Sequence, residues 1–324
     1  MLVLPIHPSF WQFCRVPDAA QATLSLLRSQ LPPFRALHPS RVMSTSSQAP
    51  DWSPQQYLLF QTPRNRPIHD LLTFLTTHRS TSKYSPTRII DLGCGPGNST
   101  SLLAPRFPNA TITGVDSSPA MLATARITLP QVEFVQADAK EYEPPLGTDL
   151  VFSNAMFHWL RSRDRIPTVE RLVKGLEPGK GVFAMQVPDN FDEPSHRAMR
   201  ETAAVQGTVW SEYFAGSRSG DGDERPELDP IEPEMAWYDI LQPLCRSVET
   251  WTTRYVHVLD GHRDIVEWVR GTGLQPFLNR LPPDQSVRDA FLQEYQRRLE
   301  AGYPRARDGK VLLGYPRRFL VAYR

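Results

Sequence analysis

Asp91-Leu92-Gly93-Cys94-Gly95-Pro96-Gly97 decides how this 324-residue chain is read. Residues 88–92, Arg-Ile-Ile-Asp-Leu, predict a short buried strand, and residues 99–107 predict a helix, so the glycines fall in the turn between them. Glycine lets a backbone turn sharply and approach a ligand with no Cβ in the way, while the helix start presents free N–H groups. A ligand on this turn is expected. The dinucleotide spacing G-x-G-x-x-G, counted from Gly93, requires a glycine at position 98, which is Asn98; Gly97 instead completes G-x-G-x-G, two residues after the acid Asp91.

Working outward, strands are predicted over 111–116, 132–135, 149–153 and 181–187, and helices over 67–77, 119–129 and 166–176, with Pro67 at the first helical position. Strands alternating with helices imply right-handed crossovers and a parallel sheet. After residue 187 the order changes. Helices over 193–204, 265–269 and 286–299 and strands over 248–258 and 311–323 predict an antiparallel edge carrying a helical cap. Residues 211–234 contain Ser217-Arg218-Ser219-Gly220-Asp221-Gly222-Asp223-Glu224, too polar for a core, and are read as an exposed insertion. The expected class is α/β, a mostly parallel sheet with an antiparallel edge and a cap, over residues 51–324.

With 36 Lys+Arg against 35 Asp+Glu the chain carries a formal charge of +1, so no general pull toward nucleic acid or membrane is expected and an anionic ligand must meet a local basic cluster. Cys14, Cys94 and Cys245 are scattered and odd in number, with neither disulfide nor metal spacing; a reducing compartment fits, and no metal is expected. No stretch approaches the about 20 apolar residues of a membrane span. The expectation is a cytoplasmic monomer or weak oligomer. Residues 1–50 are separate in kind: Arg15, Arg28, Arg35 and Arg41 accompany a single acid, Asp18. That composition reads as a disordered tail or a mitochondrial transit peptide over 1–42, with Met43 an alternative start.

The turn and its preceding acid resemble the first motif of S-adenosylmethionine-dependent methyltransferases, a Rossmann-like class. In that class the cofactor has no pyrophosphate to seat and the acid helps hold its amino-acid part. Asp116, ending the second strand, stands where an acid in a doubly wound fold accepts hydrogen bonds from ribose hydroxyls; with Ser117, Ser118 and Pro119 behind it, a helix-start role is the plainer alternative. The resemblance places Asp138 at the adenine amino group, and Asn154 closes the fourth strand at the ligand-binding edge. Asp91, Gly93, Gly95, Gly97, Asp116, Ser117, Asp138 and Asn154 are therefore the candidates for S-adenosyl-L-methionine.

Several blocks resemble the trans-aconitate methyltransferase family more closely: 51–57, 64–67, 91–100, 113–121, 186–190, 238–241, 268–274 and 315–319. The last four lie outside the cofactor half, so the resemblance extends to the acceptor. It implies methyl-ester formation on a carboxylate of a small polycarboxylate, with trans-aconitate first. The chain departs from the bacterial pattern in the 211–234 insertion, the N-terminal extension, and His158 where glutamine is usual. A carboxylate is already ionised at pH 7 and can attack the sulfonium methyl group in line without a general base, so catalysis reduces to positioning and desolvation. Cations and hydroxyls must grip the acid. His158, Trp159, Tyr315 and Arg317 are the candidates at the reacting group, and Arg64, Arg66, Tyr238, Arg254, Tyr255, His257 and Arg318 for holding the acid. Arg317 and Arg318 alternate faces, so at most one points inward. Another small acid, a carrier-bound acyl acceptor and a non-catalytic cofactor-binding protein remain as alternatives; Asn98 disfavours a dehydrogenase.

Overall fold

The computed structural model describes residues 61–77, 84–216 and 225–324. These belong to the larger of two units into which the chain divides, Gln48–Arg324, and the predicted transit segment lies outside the described residues. Strands β1 (Arg88–Leu92), β2 (Thr111–Asp116), β3 (Glu133–Gln136), β4 (Leu150–Asn154), β5 (Val182–Pro188), β6 (Ser247–Leu259) and β7 (Val311–Tyr323) form one sheet in the order β3-β2-β1-β4-β5-β7-β6. The first five run parallel, and β7 is antiparallel to both neighbours, so the antiparallel edge is a pair of strands. The order reverses at β1, between β2 and β4, and ligands of open α/β sheets bind beyond the carboxyl ends of strands at such a point.

Alternation along the strands sends side chains to two faces. Ile89, Phe152 and Ala184 pack with Leu71, Leu72 and Leu75 of helix α1 (Gln61–Thr77). Their neighbours Ile90, Val151 and Phe183 pack with Val169 and Leu172 of a helix on the other face, Ser162–Lys174. Between β1 and β3 stand α2 (Asn98–Arg106) and α3 (Pro119–Thr128); the Ser162–Lys174 helix is α4. A third core forms the cap from α5 (Pro194–Ala203), α7 (His262–Arg270), α8 (Gln275–Arg280) and α9 (Gln285–Gly302), with Val311, Leu313 and Tyr315 of β7 beneath. Between α5 and α7 lies α6 (Glu234–Leu241). Among the described residues no helix is long and apolar enough to cross a membrane.

Four features differ from the sequence reading. α1 starts at Gln61 with Pro67 inside it, because the Arg64 guanidinium donates to the carbonyl of Trp268 (2.8 Å) and draws the preceding turn against the cap. α4 starts at Ser162, one turn early, because partners from residues 225–232 hold its first turn. The 211–234 segment is not exposed throughout: Phe214 is in the cap core and stacks on Phe291 (5.6 Å), and Asp229 is buried beneath two arginines. Its polar stretch, 217–224, lies outside the described residues. The helices α6 and α8 were not read at all, being short and carrying proline at or beside their starts.

Candidate active site

Gly93, Gly95 and Gly97 adopt φ of 75°, 55° and 94°, left-handed conformations that glycine enters at little cost. The N–H groups of Gly93 and Cys94 donate to the carbonyl of Val115 (2.7 and 3.0 Å), fastening the turn to the end of β2. A Cβ at Gly93 would stand 2.2 Å from Cγ of Met156, so only glycine lets the loop after β4 approach; at Gly95 it would meet nothing within 4 Å. Gly95 faces open space.

That space is a cavity of about 170 Å³ whose walls include Gly93, Gly95, Asn98, Asp116, Ser117, Asp138, Asn154 and Trp159, with apolar contributions from Met121, Met156 and Leu160. Asp116 accepts from the N–H groups of Gly95 and Ser118 (both 2.9 Å), which fixes its carboxylate at the cavity wall; Ser118 in turn caps α3. Exposed Asp138 anchors its own loop through the N–H of Lys140 (2.9 Å), and buried Asn154 is bonded to Gln186. Asp91 and Gly97 do not line the cavity. Gly97 caps α2, and Asp91 lies under the turn, fully buried, one oxygen accepting from the hydroxyls of Ser99 (2.7 Å) and Thr100 (2.6 Å) and the other without a partner. Burial pushes its carboxyl up to about 6, against the pull of those hydroxyls.

Among the described residues the lining contains acids and no Arg, Lys or His. Such a cavity suits a ligand bearing positive charge and repels a pyrophosphate. The acidic walls at Asp116 and Asp138 and the open side of Gly95 fit S-adenosylmethionine, with its ammonium and sulfonium groups and its ribose diol.

Asn154, Ala155, Trp159 and Thr272 also line a second chamber, which brings together Arg64, His158, Tyr315 and Arg317 with Trp268 and Pro188. Arg317 is buried, stacks over Tyr315 (5.0 Å) and reaches the side-chain oxygen of Gln186 (3.4 Å). Arg64 lies over Trp268 (5.7 Å). His158 is buried with Nδ1 unpartnered; burial first, then the charges of Arg317 and Arg165, hold its pKa well below the ordinary imidazole value. Among the described residues no acid lines this chamber.

The other candidates lie elsewhere. Arg66, Tyr255 and His257 line a separate outer cavity, where Arg66 sits over Tyr255 (5.4 Å) and the Tyr255 hydroxyl donates to Asp70 (2.5 Å). His257 packs on Trp268 (4.3 Å), its pKa lowered to about 4 by burial and by Arg317. Arg254 is exposed and paired with Glu193, and Tyr238 is exposed on α6. Arg318 faces away from the chamber and pairs with Asp189 (2.8 Å) and Glu234. Trp268, Thr272, Met156 and Pro188 were missed; all but Met156 fall inside blocks that resemble the family, 268–274 and 186–190, which was the available signal.

Residues 89–179 match the family model described as a methyltransferase domain. The chain is 46% identical over 273 residues to the trans-aconitate 2-methyltransferase of Rhodopseudomonas palustris (strain BisB18), covering 84% of this chain and 98% of that protein. It is 44% identical to the enzyme of the same name from Azoarcus sp. (strain BH72), covering 85% and 100%. Among solved structures, phosphoethanolamine N-methyltransferase 2 of Haemonchus contortus in complex with S-adenosyl-L-methionine aligns at TM-score 0.44 and 16% identity, over 80% of this chain and 52% of that one.

Proposed function

The chain belongs to the trans-aconitate methyltransferase family, and we infer that it esterifies a carboxylate of trans-aconitate with the methyl group of S-adenosylmethionine. The observation that carries this reading is the pairing of two adjoining cavities of opposite character. Among the described residues one has acidic walls and no cation, the other holds two guanidinium groups and no acid, and they meet at Asn154, Ala155, Trp159 and Thr272. A cationic methyl donor and an anionic acceptor are thereby sorted to the two sides of one junction.

When bound, S-adenosylmethionine supplies an electrophilic methyl group on its sulfonium. Asp116, with Ser117 and Asp138, would hold the nucleoside end, and Asp91, under the glycine turn, the amino-acid end. Arg317 and Arg64 would pin the carboxylates that do not react, bidentate pairing being the natural fit of guanidinium to carboxylate. Trp159, Trp268 and Tyr315 wall the chamber against water, which strengthens those charge contacts and strips the reacting carboxylate. His158 stays neutral at pH 7 and serves as a hydrogen-bonding group. No base is needed.

We read residues 51–324 as the catalytic domain and 1–50 as an extension whose destination, cytoplasm or mitochondrion, decides where the enzyme works. The deciding assay combines purified protein, labelled S-adenosylmethionine and a panel of acids. Label appearing in a methyl ester of trans-aconitate is expected; label passing only to a simple monoacid would leave a methyltransferase of another substrate.

A further inference from the structure

His158 and Pro188 line both the acceptor chamber and a second, smaller cavity of about 20 Å³, whose lining also includes Glu227, Leu228, Asp229 and Ile231. That is room for about one water molecule. Two buried polar atoms without partners, Nδ1 of His158 and Nδ2 of Asn190, belong to residues bordering it. Unsatisfied buried donors and acceptors are costly, so this end of the chamber is suited to the polar terminus of a bound acid or to a water that caps it.

The segment that contributes these four residues is held in place. Arg161 donates to the carbonyls of Arg225 (2.7 Å) and Glu227 (2.8 Å), and the Asp229 carboxylate accepts from the N–H of Ser162 (2.7 Å). Arg165, with no exposed surface, donates to the carbonyl of Pro230 (2.9 Å) and to both oxygens of Glu232 (2.8 Å each). The same guanidinium holds the carbonyls of Phe157 (3.0 Å) and Leu160 (2.9 Å), which flank His158 and Trp159. One buried cation thus ties the site turn and residues 230–232 into a single body.

We propose that residues 225–232, stapled by Arg161 and Arg165, are the wall that sets the length of acid the chamber accepts. The proposal rests on the acceptor reading above. Arg165 is a positioning residue in it: it touches no substrate and fixes the distance between His158 and the wall. Because one methylene in a closed pocket changes discrimination about 10–200-fold, moving this wall by one side chain should be visible as a change in preferred length.

The test uses the full chain with Leu228→Ala and Ile231→Ala, singly and together, and Arg165→Lys. Binding of linear di- and tricarboxylic acids of rising length is measured calorimetrically with S-adenosylhomocysteine present, alongside initial rates. The wall variants are expected to shift the ratio of affinities toward acids one or two methylenes longer by about tenfold. Arg165→Lys should broaden the length preference and raise KM for every acid while cofactor affinity stays put, a split that a purely structural loss would not give. Leu228 and Ile231 are partly exposed, so the single variants keep the test open if the double variant fails to bind cofactor. Folded variants with the parent's length preference overturn the proposal. The two readings separate cleanly: formation of the trans-aconitate ester by the parent decides the acceptor, and the length shift decides the wall, whichever acid the parent prefers.

Discussion

Arg317 and Arg318 are consecutive on β7 and buried alike, yet they stand on opposite faces of the sheet: Arg317 lies in the acceptor chamber over Tyr315, and Arg318 is held by Asp189 and Glu234. Alternation along a strand separates a binding cation from a structural one.

Replacing Arg317 by Ala should therefore raise KM for the acid by the about 2–5 kcal/mol of a broken desolvated charge pair, with the Kd of S-adenosylmethionine unchanged. Arg318→Ala should instead lower stability by about 1–3 kcal/mol through its stranded carboxylate partners and move KM little. Steady-state kinetics and thermal melts on both variants check this. Interchanged outcomes would reverse the assignment of faces.

Asp91 gives a pH signature. Its folded pKa, raised to about 6 from 3.8, favours the protonated carboxyl. Its stabilising contribution to the fold is thus complete below about 3.8 and lost as pH rises through 6. A cationic ligand needs the ionised form, so the two demands oppose each other. Cofactor affinity should fall about tenfold per pH unit below 6, and Asp91→Asn should bind weakly with that dependence gone. Titration calorimetry from pH 5 to 8 tests it, and a flat parent profile would remove Asp91 from the cofactor site.

His158 should be silent. With its pKa held far below neutrality by burial and by Arg317, kcat/KM should run flat between about pH 6.5 and 8.5. His158→Gln should keep that flat profile and most of the activity, since an amide also offers a hydrogen bond. An ionisation near 7 that vanishes in the variant would make His158 a base after all.

Residues 1–42 should be dispensable. We expect a chain beginning at Met43 to match the full chain in kcat and KM, and residues 1–42 fused to a fluorescent reporter to reveal whether they direct it to mitochondria. A large loss of kcat would place the leader within the fold; a diffuse reporter would end the transit reading.

The glycine turn, the succession of strands and the helices of the cap at 193–204, 265–269 and 286–299 were legible because each rests on a local rule: positive φ, a period of two, a period near 3.6. The acceptor residues were legible only in part. Arg64, His158, Trp159, Tyr315 and Arg317 converge in one chamber, whereas Arg66, Tyr255 and His257, equally suitable in chemistry, lie across Trp268 in another cavity. Sequence order cannot tell which side of an indole a residue will occupy. Arg165 escaped notice for a related reason: it stands just before the helix predicted over 166–176, among other arginines that read as solvated, and its burial depends on a carbonyl and a carboxylate some 65 residues away.

The placement of β7 has a consequence for how the molecule comes into being. Val311–Tyr323 sits between β5 and β6, although β5 is made more than a hundred residues earlier. Through most of its synthesis the chain therefore carries β5, a strand of seven residues whose side chains all end up buried, with one edge unpaired. Such an edge invites pairing with another nascent chain. The glycine turn and its acids can assemble while the ribosome is still at work, but Tyr315 and Arg317 arrive with the strand that closes the gap. A polypeptide cut short just before β7 would thus retain the methyl-donor cradle, lack its acceptor chamber, and be prone to aggregate.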